Sequence, residues 1–400
     1  MENCPHAGAG RSLRWLLDPA ECSSFFAEYW EKQPLVVHRR QADYFQDILS
    51  LDEVDRVLTT LDRRYPDVTL KNARREISSE AYTRDDGILD VAKVYELFRE
   101  GATITLAYLD TVLPSLARLC RGLEGEFSCP FQANVYLTPP VAQGAKPHYD
   151  THDVFVLQVL GSKKWFLYGT PVEAPLPGQD FDSTQHPLGD LTREFELHAG
   201  DVAYVPRGLM HEAQSTDEVS LHVTVGILRY SWADLLLEYV AAACLKDPAF
   251  RKALPPGFAR AEFDRKAAHI KLRQLLHDVG EKADFDEALE QFVDQFLSSS
   301  PPLLRGQMAQ LGMLDNLRLQ SQAGARDGAV FRIRSNGDVV SVDCYGRTLS
   351  FPSYAEHAVR FALSQGRFAV CDVSAELDDN GKLTLIRRLV REGLVEVLSL

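Results

Sequence analysis

The sequence predicts a mainly β core, built as a sandwich or barrel, followed by a helical region and a small α+β unit. Between Gly101 and Gly226, seven short runs rich in β-branched and aromatic residues are separated by Gly and Pro, which is typical of strands joined by turns. From about 230 to 319 apolar residues recur at helical spacing. From about 325 the chain returns to short strands and two helices.

Composition restricts the function before any motif is considered. The 400 residues are 45% hydrophobic and 25% charged, which is the profile of a folded globular protein with room for two or three cores. The 57 acidic and 43 basic residues give a formal net charge of −14, which repels phosphate backbones and argues against a general nucleic-acid coat protein. The same field attracts basic partners, among which ribosomal proteins and histone tails are abundant.

Cysteine usage and hydropathy favour an intracellular protein. The seven cysteines, one of them Cys4, are scattered with no C-x-x-C pair, which fits a reducing compartment. No stretch approaches the roughly 18 apolar residues that span a bilayer, and the N-terminal residues lack the basic-then-apolar run of a secretory signal. We therefore expect a cytoplasmic protein.

The first elements are a helix and a short strand. The helix is expected over 18–30 and the strand over 35–37, with packing roles for Trp15 and Trp30. One helix, at about 110–124, interrupts the core strands, whose predicted sequences are ATITLAYL, QANVYLTPP, DVFVLQVLG, KKWFLYG, REFELHAGD, VAYVP and VSLHVTVGI. A β core of this length can hold a metal and a small ligand in its interior.

The C-terminal half begins with three helical runs, WADLLLEYVAAACL, RKAAHIKLRQLLHDV and FDEALEQFVDQFLSS. These helices could cap the β core or form a dimer interface, and composition does not decide between them. In the tail, the strands VFRIRS, DVVSVDCY and RTLSF precede helices near 353–364 and 380–392, an arrangement similar to a winged-helix module. Acidic neighbours offset the basic residues of the second helix, so direct nucleic-acid binding is not expected. These basic residues are Lys382, Arg387, Arg388 and Arg391.

Two short motifs inside the predicted β core carry chemistry. In GAKPHYD, His148 and Asp150 are two residues apart, so on an extended strand both side chains point to the same face. Further along, the pattern Gly, five residues, Pro, four residues, His places His211 after a turn that returns the chain to the barrel. Two imidazoles and one carboxylate occupy one face of an octahedral ion and leave three positions open, as in non-haem Fe(II) oxygenases. The open positions suit chelation by 2-oxoglutarate and binding of dioxygen.

Other histidines and one carboxylate offer alternatives to this set. His152 and Asp153 follow the His-x-Asp pair closely, but the same-face spacing favours the pair itself over a set that uses His152. His222, in the strand SLHVTVGI, is interpreted as a neutral core histidine or as a residue that supports the ligands from behind. Two further histidines in or beside a Pro- and Gly-rich loop are expected to face solvent: His186 and His198.

A 2-oxoglutarate site also needs a cation for the distal carboxylate, on a strand that follows the His-x-Asp motif. Lys163 and Lys164, in GSKKWFLYG, are the candidates. Consecutive strand residues face opposite sides, so only one of them can point inward, and Trp165 and Tyr168 do not decide which. A hairpin turn with two solvated lysines fits the pattern equally well.

The sequence resembles the JmjC-type ribosomal oxygenases, a branch of the cupin superfamily, along nearly the whole chain. LRWLLDP and FFAEYWEKQPLVVHR are similar to the N-terminal segment of that family, and QANVYLTPP, QGAKPHYDTHDVFVLQVLGSKKWFLY, GDVAYVPRGLMHEA and SLHVTVGI match its core in order. The resemblance implies a catalytic core of the double-stranded β-helix (jelly-roll or cupin) type at 1–228. It further implies a helical dimerisation or connector region at 229–322 and a winged-helix-like α+β domain at 323–400.

The resemblance also implies roles for individual residues. The corresponding residues are His148, Asp150 and His211 for the iron ligands, Lys163 for the cation that holds 2-oxoglutarate, Asn134 and Thr224 for the surroundings of the co-substrate, and Tyr136 with Asn134 for the substrate. Asn134 and Tyr136 are two residues apart on a predicted strand, so they share a face. A small hydroxylic residue that eukaryotic members use near the substrate aligns with Gly226, and this departure leaves the target side chain open.

The activity implied by the resemblance is hydroxylation of a histidine or arginine side chain of a ribosomal protein. It requires Fe(II), 2-oxoglutarate and O2, releases succinate and CO2, and in this family goes with a homodimer formed through the helical region. The Pro-rich loop 171–190 carries Asp180, Asp182 and Asp190, which suit a basic peptide, although a plain surface loop fits equally well. The alternatives are the same chemistry on a biosynthetic peptide and a non-catalytic cupin-type binding protein. Nothing in the sequence provides a methyl-lysine cage for histone demethylation.

Overall fold

The computed structural model describes residues 12–400, so Cys4 and the first residues of the unit predicted at 1–228 lie outside the described part of the chain. The α-helices of this part are α1 (Leu13–Leu17), α2 (Cys22–Ser24), α3 (Leu51–Thr60), α4 (Val91–Arg99), α5 (Pro114–Phe127), α6 (Trp232–Lys246), α7 (Arg265–Lys282), α8 (Phe285–Ser299), α9 (Gln307–Met313), α10 (Glu356–Ser364) and α11 (Asp379–Arg391). Its strands are β1 (Leu35–Val37), β2 (Val68–Lys71), β3 (Thr103–Leu106), β4 (Phe131–Thr138), β5 (Asp153–Leu160), β6 (Ser162–Leu167), β7 (Arg193–His198), β8 (Val202–Val205), β9 (His211–Ser215), β10 (Ser220–Ile227), β11 (Gln322–Ala325), β12 (Arg332–Asn336), β13 (Val339–Cys344), β14 (Arg347–Pro352), β15 (Phe368–Ala369) and β16 (Val395–Ser399).

Two antiparallel sheets pack against each other and form the β core within residues 12–400. The larger has the strand order β1-β8-β5-β10-β4-β3-β2 and the smaller has the order β7-β6-β9. Strand β5 shows how they pack, because Phe155 and Leu157 join the apolar cluster with the N-terminal helices, whereas Val154 and Val156 join Trp165 of the smaller sheet. Both faces of β5 are therefore buried, which explains why its residues 154–157 are all apolar rather than alternating with polar residues. The mainly β core is confirmed.

The N-terminal helical elements differ in detail from the sequence prediction. A π-helical turn, Phe25–Tyr29, continues α2, so the helix expected over 18–30 is shorter and not regular. Trp15 and Trp30 pack against the main apolar core, in agreement with the packing roles assigned to them. The helix expected at 110–124 begins at Pro114, because proline is favoured in the first turn of a helix.

The structure adds two core strands that the sequence does not predict, β2 and β9. Strand β9 reads HEAQS, and this polar sequence lacks the apolar alternation by which half-buried strands are recognised. Its backbone pairs with β6 from Leu167↔His211 to Lys163↔Ser215, so tertiary pairing overrides a weak local preference. The consequence for the site is large, since β9 begins at His211.

The helices α6, α7 and α8 correspond to the three predicted helical runs. Helix α6 begins at Trp232 because Ser231 and Asp234 form a capping box that satisfies the first backbone N–H groups. None of the helices formed by residues 12–400 has the length and the apolar character needed to cross a membrane.

The C-terminal part has a separate apolar core, in which Val342, Ile386 and Leu389 are buried. Its strands form two three-stranded sheets with the orders β15-β11-β16 and β12-β13-β14. The predicted strands and both helices are present, whereas the winged-helix assignment and the boundaries at 229 and 323 stay predictions. Two basic residues of α11 make internal contacts, since Arg387 Nε donates to Leu314 O at 3.1 Å and Arg388 donates to a backbone carbonyl of β14.

Candidate metal and co-substrate site

Two histidines and one aspartate converge at the edge of the β core. His148, Asp150 and His211 each offer a ligand atom, and these atoms lie within 4.8 Å of one another. His148 Nε2 is 3.9 Å from Asp150 Oδ1, and His211 Nε2 is 3.8 Å from Asp150 Oδ2. A divalent ion with bonds of about 2 Å to each ligand fits a gap of this size.

The backbone brings these side chains together across 63 positions of sequence. His148 and Asp150 do not lie on a regular strand, as the motif spacing suggested, but in an extended loop between β4 and β5. His148 N donates to His211 O at 3.0 Å, and His211 N donates to His148 O at 2.8 Å. Gly208 N donates to Asp150 O at 3.0 Å. This short antiparallel pairing holds the loop extended, so the two residues still present their side chains to one side.

Second hydrogen bonds orient both imidazoles. His148 Nδ1 lies 2.8 Å from Lys146 O, and His211 Nδ1 lies 3.0 Å from Leu209 O. A carbonyl only accepts, so each Nδ1 carries the proton and each Nε2 has its lone pair free toward Asp150. These are the tautomers that two metal-binding histidines need.

Electrostatics favour the ligand protonation states. Burial, with the neighbouring His148 as a smaller cause, holds the pKa of His211 below its usual range, so this ring is neutral near pH 7. Burial alone would raise the pKa of Asp150, but the surrounding histidines His211, His148 and His152 together hold it below its ordinary value. A neutral imidazole beside an ionised carboxylate is the donor set that divalent metals bind.

The turn before His211 packs against the Pro-rich loop 171–190. Gly208 has φ +79°, and a Cβ there would lie 2.1 Å from Val172 O, so only glycine allows this approach. Tyr149, between the two ligands of the first motif, donates its hydroxyl to Gln179 O at 2.9 Å. The loop is therefore anchored beside the candidate site.

The three acidic residues of this loop are not equivalent. Asp182 accepts hydrogen bonds from Thr184 and Gln185 within the loop, so it stabilises the local turn. Asp180 and Asp190 are exposed. The contact of these acids with a basic peptide stays a prediction.

A cavity of about 100 Å³ extends from the ligand cluster into the core. Its lining comprises Lys71, Thr103, Thr105, Tyr136, Gly144, Ala145, His148, Asp150, Val154, Val156, Lys163, Trp165, His211, Glu212, Ala213, His222 and Thr224. Of the residues singled out in the sequence, Tyr136, Thr224 and His222 thus face the same space as the ligands.

Lys163 lies in this cavity and Lys164 does not. The side chain of Lys163 is 4% exposed, and its Nζ donates to Thr138 Oγ1 at 3.1 Å, whereas Lys164 is exposed. In residues 12–400 no carboxylate forms an ion pair with Lys163, and burial lowers its pKa to about 7. A buried amine in this position lacks the anion that would stabilise its charge.

Three further polar atoms of the lining have no hydrogen-bond partner among the described residues. They are Thr105 Oγ1, Trp165 Nε1 and His222 Nδ1. Buried polar atoms are almost always paired, so an unpaired set around one cavity indicates a polar guest. With Lys163, the hydroxyl and indole donors match the oxygens of a carboxylate.

His222 and Tyr136 form one wall of the cavity. Their rings stack with centroids 4.8 Å apart and an interplanar angle of 2°. Burial, assisted by the charge of Lys163, holds the pKa of His222 well below its usual range, and burial raises the pKa of Tyr136 to about 12. Both rings are therefore neutral near pH 7.

Asn134 lies outside the cavity lining. Its Oδ1 accepts hydrogen bonds from Tyr108 N at 3.1 Å and from Gln132 Nε2 at 3.0 Å. Thr224 Oγ1 makes a long contact of 3.5 Å with Asn134 O. Asn134 therefore does not line this cavity, and its contact with the co-substrate or the substrate stays a prediction.

His152 occupies the space that a side chain at position 226 would take. A Cβ on Gly226 would lie 2.7 Å from His152 Cδ2 and 3.0 Å from its Nε2. His152 does not belong to the ligand cluster found among residues 12–400. The glycine at this position, which the sequence marked as a departure, therefore makes room for an imidazole.

The sequence did not predict the ion pair between Asp153 and Arg207, which lies close to the ligands. Asp153 is fully buried, and its Oδ2 lies 2.9 Å from Arg207 NH1. The available signal was an aspartate at the start of a continuously apolar strand, because a buried charge needs a partner. Glu212 was missed as well; it follows His211, lines the cavity, and accepts a hydrogen bond from Tyr168 OH at 2.5 Å. The exposed position of His198 agrees with its prediction.

The fold and the ligand cluster define a JmjC domain of cupin type, and residues 109–235 match the JmjC domain family. Ribosomal oxygenase 1 of Danio rerio is 32% identical over 320 residues, which cover 74% of this chain and 58% of that protein. The bifunctional lysine-specific demethylase and histidyl-hydroxylase NO66 of Drosophila simulans is 31% identical over 348 residues, which cover 80% of this chain and 39% of that protein. The chain thus spans about half the length of the curated relatives it matches. It belongs to the JmjC-type ribosomal oxygenase family.

Solved structures show the same fold along nearly the whole chain. The structure of E. coli ycfD superposes with a TM-score of 0.56 at 18% identity and covers 94% of this chain and 98% of its own. A second structure, of that ribosomal oxygenase in complex with cobalt and 2-oxoglutarate, has a TM-score of 0.56 at 16% identity and covers 95% and 99%. At these identities the match establishes the fold.

Proposed function

We propose that this protein is an Fe(II)- and 2-oxoglutarate-dependent oxygenase that hydroxylates a histidine or arginine side chain of a basic ribosomal protein. The observation that carries the proposal is that one cavity is lined both by the His-Asp-His cluster and by Lys163. Lys163 is buried there and forms no ion pair with a carboxylate of the described residues. The family relationship supports it, since the matched relatives are named for ribosomal oxygenation and histidyl hydroxylation.

The ligand cluster provides the metal site. His148, Asp150 and His211 present two imidazole Nε2 atoms and one carboxylate from one side, which leaves the opposite side to exogenous ligands. Bound there, Fe(II) would supply the activation of dioxygen that couples decarboxylation of 2-oxoglutarate, to succinate and CO2, to insertion of one oxygen into a C–H bond.

The inner end of the cavity provides the 2-oxoglutarate site. Lys163 pairs with the distal carboxylate, and the unpaired Trp165 Nε1 and Thr105 Oγ1 donate further hydrogen bonds to the bound diacid. The stacked wall of His222 and Tyr136 limits the width of the site and excludes water from the ion pair. Occupation by this dianion would satisfy groups that the protein by itself leaves unpaired.

The charge distribution suits a basic protein substrate. The net charge of −14 steers cationic partners toward the protein, and the exposed Asp180 and Asp190 lie on the loop that is anchored beside the ligands. Glu212, at the cavity lining, adds a carboxylate close to His211. The internal contacts of Arg387 and Arg388 are consistent with a protein rather than a nucleic-acid partner.

A cytoplasmic location stays a prediction. We also propose that the protein forms a homodimer through its helical region. Helix α6 exposes large apolar side chains at Trp232, Leu236, Leu237 and Leu245, with exposures of 76%, 60%, 72% and 74%. An apolar surface of this kind is typical of an interaction surface. A second copy of the chain would bury it by the symmetric contact that most homo-oligomers use.

Succinate release tests the activity. The protein with Fe(II), 2-oxoglutarate and O2 is expected to release succinate, and His148→Ala or His211→Ala is expected to abolish the release. His198→Ala, which removes an exposed histidine, serves as the matched control and should retain it. Unchanged turnover in both ligand variants would refute the metal assignment.

Intact-mass analysis of ribosomal proteins tests the substrate. A deletion strain of the source organism is compared with its parent, and a protein heavier by one oxygen atom in the parent alone identifies the target. Fragment masses then distinguish histidine from arginine. Identical spectra would reject the ribosomal substrate while leaving the succinate assay unaffected.

A further inference from the structure

A buried ion pair links the two segments that carry the candidate ligands. Arg207 NH1 lies 2.9 Å from Asp153 Oδ2, and the side chains are 8% and 0% exposed. Arg207 N also donates to Asp153 Oδ1, at 3.3 Å. The Asp153 carboxylate thus binds both the guanidinium and the backbone N–H of Arg207. These two contacts fix the direction of the chain at Arg207 as well as its position.

Two residues outside the pair complete a connected network. Tyr204 OH donates to Asp153 Oδ1 at 2.8 Å and accepts from Glu31 N at 2.9 Å. Glu31 in turn forms a close ion pair with Arg207 NH1. The network therefore joins the N-terminal segment, the start of β5, strand β8 and the turn after β8, and it leaves Asp153 with several donors instead of one.

The position of the pair in the chain gives it a route to the ligands. Asp153 follows Asp150 by three residues, and Arg207 precedes His211 by four. On the other side of the ligands, the same two segments are joined by the His148–His211 backbone pairing. The ligand atoms are therefore held between a backbone bridge at one end and the buried Asp153–Arg207 pair at the other.

We propose that Asp153 and Arg207 are positioning residues that hold the turn leading to His211 in register with Asp150 and thereby set the affinity for the metal. The inference rests on the proposed metal site and assigns to these two residues a role in forming it. Neither side chain lines the cavity, so the pair acts through the backbone of the ligand segments. Residues that orient metal ligands in this way affect affinity about 10–100-fold.

Titration of the full-length protein with Mn(II), followed by calorimetry or by the loss of the free-ion electron paramagnetic resonance signal, tests the proposal. The double variant Asp153→Asn with Arg207→Met removes both charges together, so neither is left buried and alone. Its Kd for Mn(II) is expected to rise about 10–100-fold over the wild type. Tyr204→Phe, which removes one hydrogen bond to Asp153, should give a smaller rise.

A second buried ion pair in the chain provides the matched control. Arg121 NH1 and Glu124 Oε2 lie 2.6 Å apart on α5, with side chains 6% and 0% exposed, and neither residue lines the cavity. The variant Arg121→Met with Glu124→Gln should lower the thermal midpoint as the test variant does and leave the Kd for Mn(II) within about twofold. This control separates a loss of positioning from a general loss of stability.

The outcomes are distinguishable. An unchanged Kd for Mn(II) in the Asp153/Arg207 variant would overturn the positioning role and leave the metal site intact. An equal loss of affinity in both double variants would also overturn it, because the effect would then follow stability alone. Failure of the wild type to bind Mn(II) would reject the metal site itself and this inference with it.

Discussion

Protonation of Lys163 offers a quantitative test of the co-substrate site. Burial lowers the pKa of this amine to about 7 in the free protein, and the carboxylate of bound 2-oxoglutarate would restore its charged form. At pH 8 only about one-tenth of the free protein carries the proton, so binding should take up about 0.9 proton per site. At pH 6 the amine is already charged, and the uptake should fall to about 0.1 proton.

Calorimetric titration of 2-oxoglutarate into the Mn(II)-loaded protein measures this uptake. The observed heat is recorded in buffers of different ionisation enthalpy, and its slope gives the number of protons exchanged. The apparent Kd should also rise toward about tenfold per pH unit above pH 7, because an increasing share of the free protein must first gain a proton. Absence of uptake at pH 8 would refute a neutral Lys163 in the free protein.

Two lysine variants separate the site from its neighbour. Lys163→Ala leaves the buried carboxylate without its cation, which costs about 2–5 kcal/mol, so the Kd for 2-oxoglutarate should rise about 30-fold or more and the proton uptake should vanish. Lys164→Ala removes an exposed charge and should match the wild type in both measurements. The reverse ranking of the two variants would show that the other lysine binds the co-substrate.

The same pKa determines how stability depends on pH. Between pH 7 and 10.5 the unfolded chain binds a proton on Lys163 that the folded protein does not, so the free energy of unfolding rises with pH through this window. The difference in the free energy of unfolding between the wild type and Lys163→Met should change by up to about 5 kcal/mol across this pH window. The cost of burying the charged amine in the wild type is fully present below pH 7. Urea titrations at several pH values without co-substrate measure this difference, and a constant difference would contradict the burial argument.

Other changes test the remaining contacts. Mn(II) at about 100 times its Kd should raise the free energy of unfolding by about 2.7 kcal/mol, and His211→Ala should lose this gain in denaturant titrations; an equal gain would place the ion elsewhere. Gly226→Ala should destabilise the protein by about 1–3 kcal/mol, because its Cβ would lie 2.7 Å from the His152 ring, and adding His152→Ala should relieve most of the loss. A neutral single variant would exclude that contact. Leu237→Asp should halve the particle mass measured by light scattering, and an unchanged mass would contradict the dimer.

Much of the candidate site could be predicted because its metal-binding residue types lie in short sequence motifs. The spacing of His148 and Asp150 and the turn before His211 identify the donor residues, whereas the backbone pairing of His148 with His211 brings them together. The apolar run of β5 likewise identifies a strand buried on both faces. Strand β9 could not be recognised, because its polar sequence carries no periodic signal and its pairing partner, β6, lies more than forty residues earlier.

The sequence by itself determined which chemical groups are available and their local spacing: the ligands, a pair of lysines and the acidic surface. Only the tertiary structure decided how they combine. The strand pattern left Lys163 and Lys164 equal, and in the sequence only the family resemblance singled out Lys163. The physical reason lies in the pairing of β6 with β7 and β9, since alternation along a strand is a local property but its phase depends on which face the neighbours bury. For the same reason the partnership of Asp153 with Arg207 and the contact of His152 with Gly226 were invisible in the sequence: each joins residues more than fifty positions apart, and only packing brings them within reach.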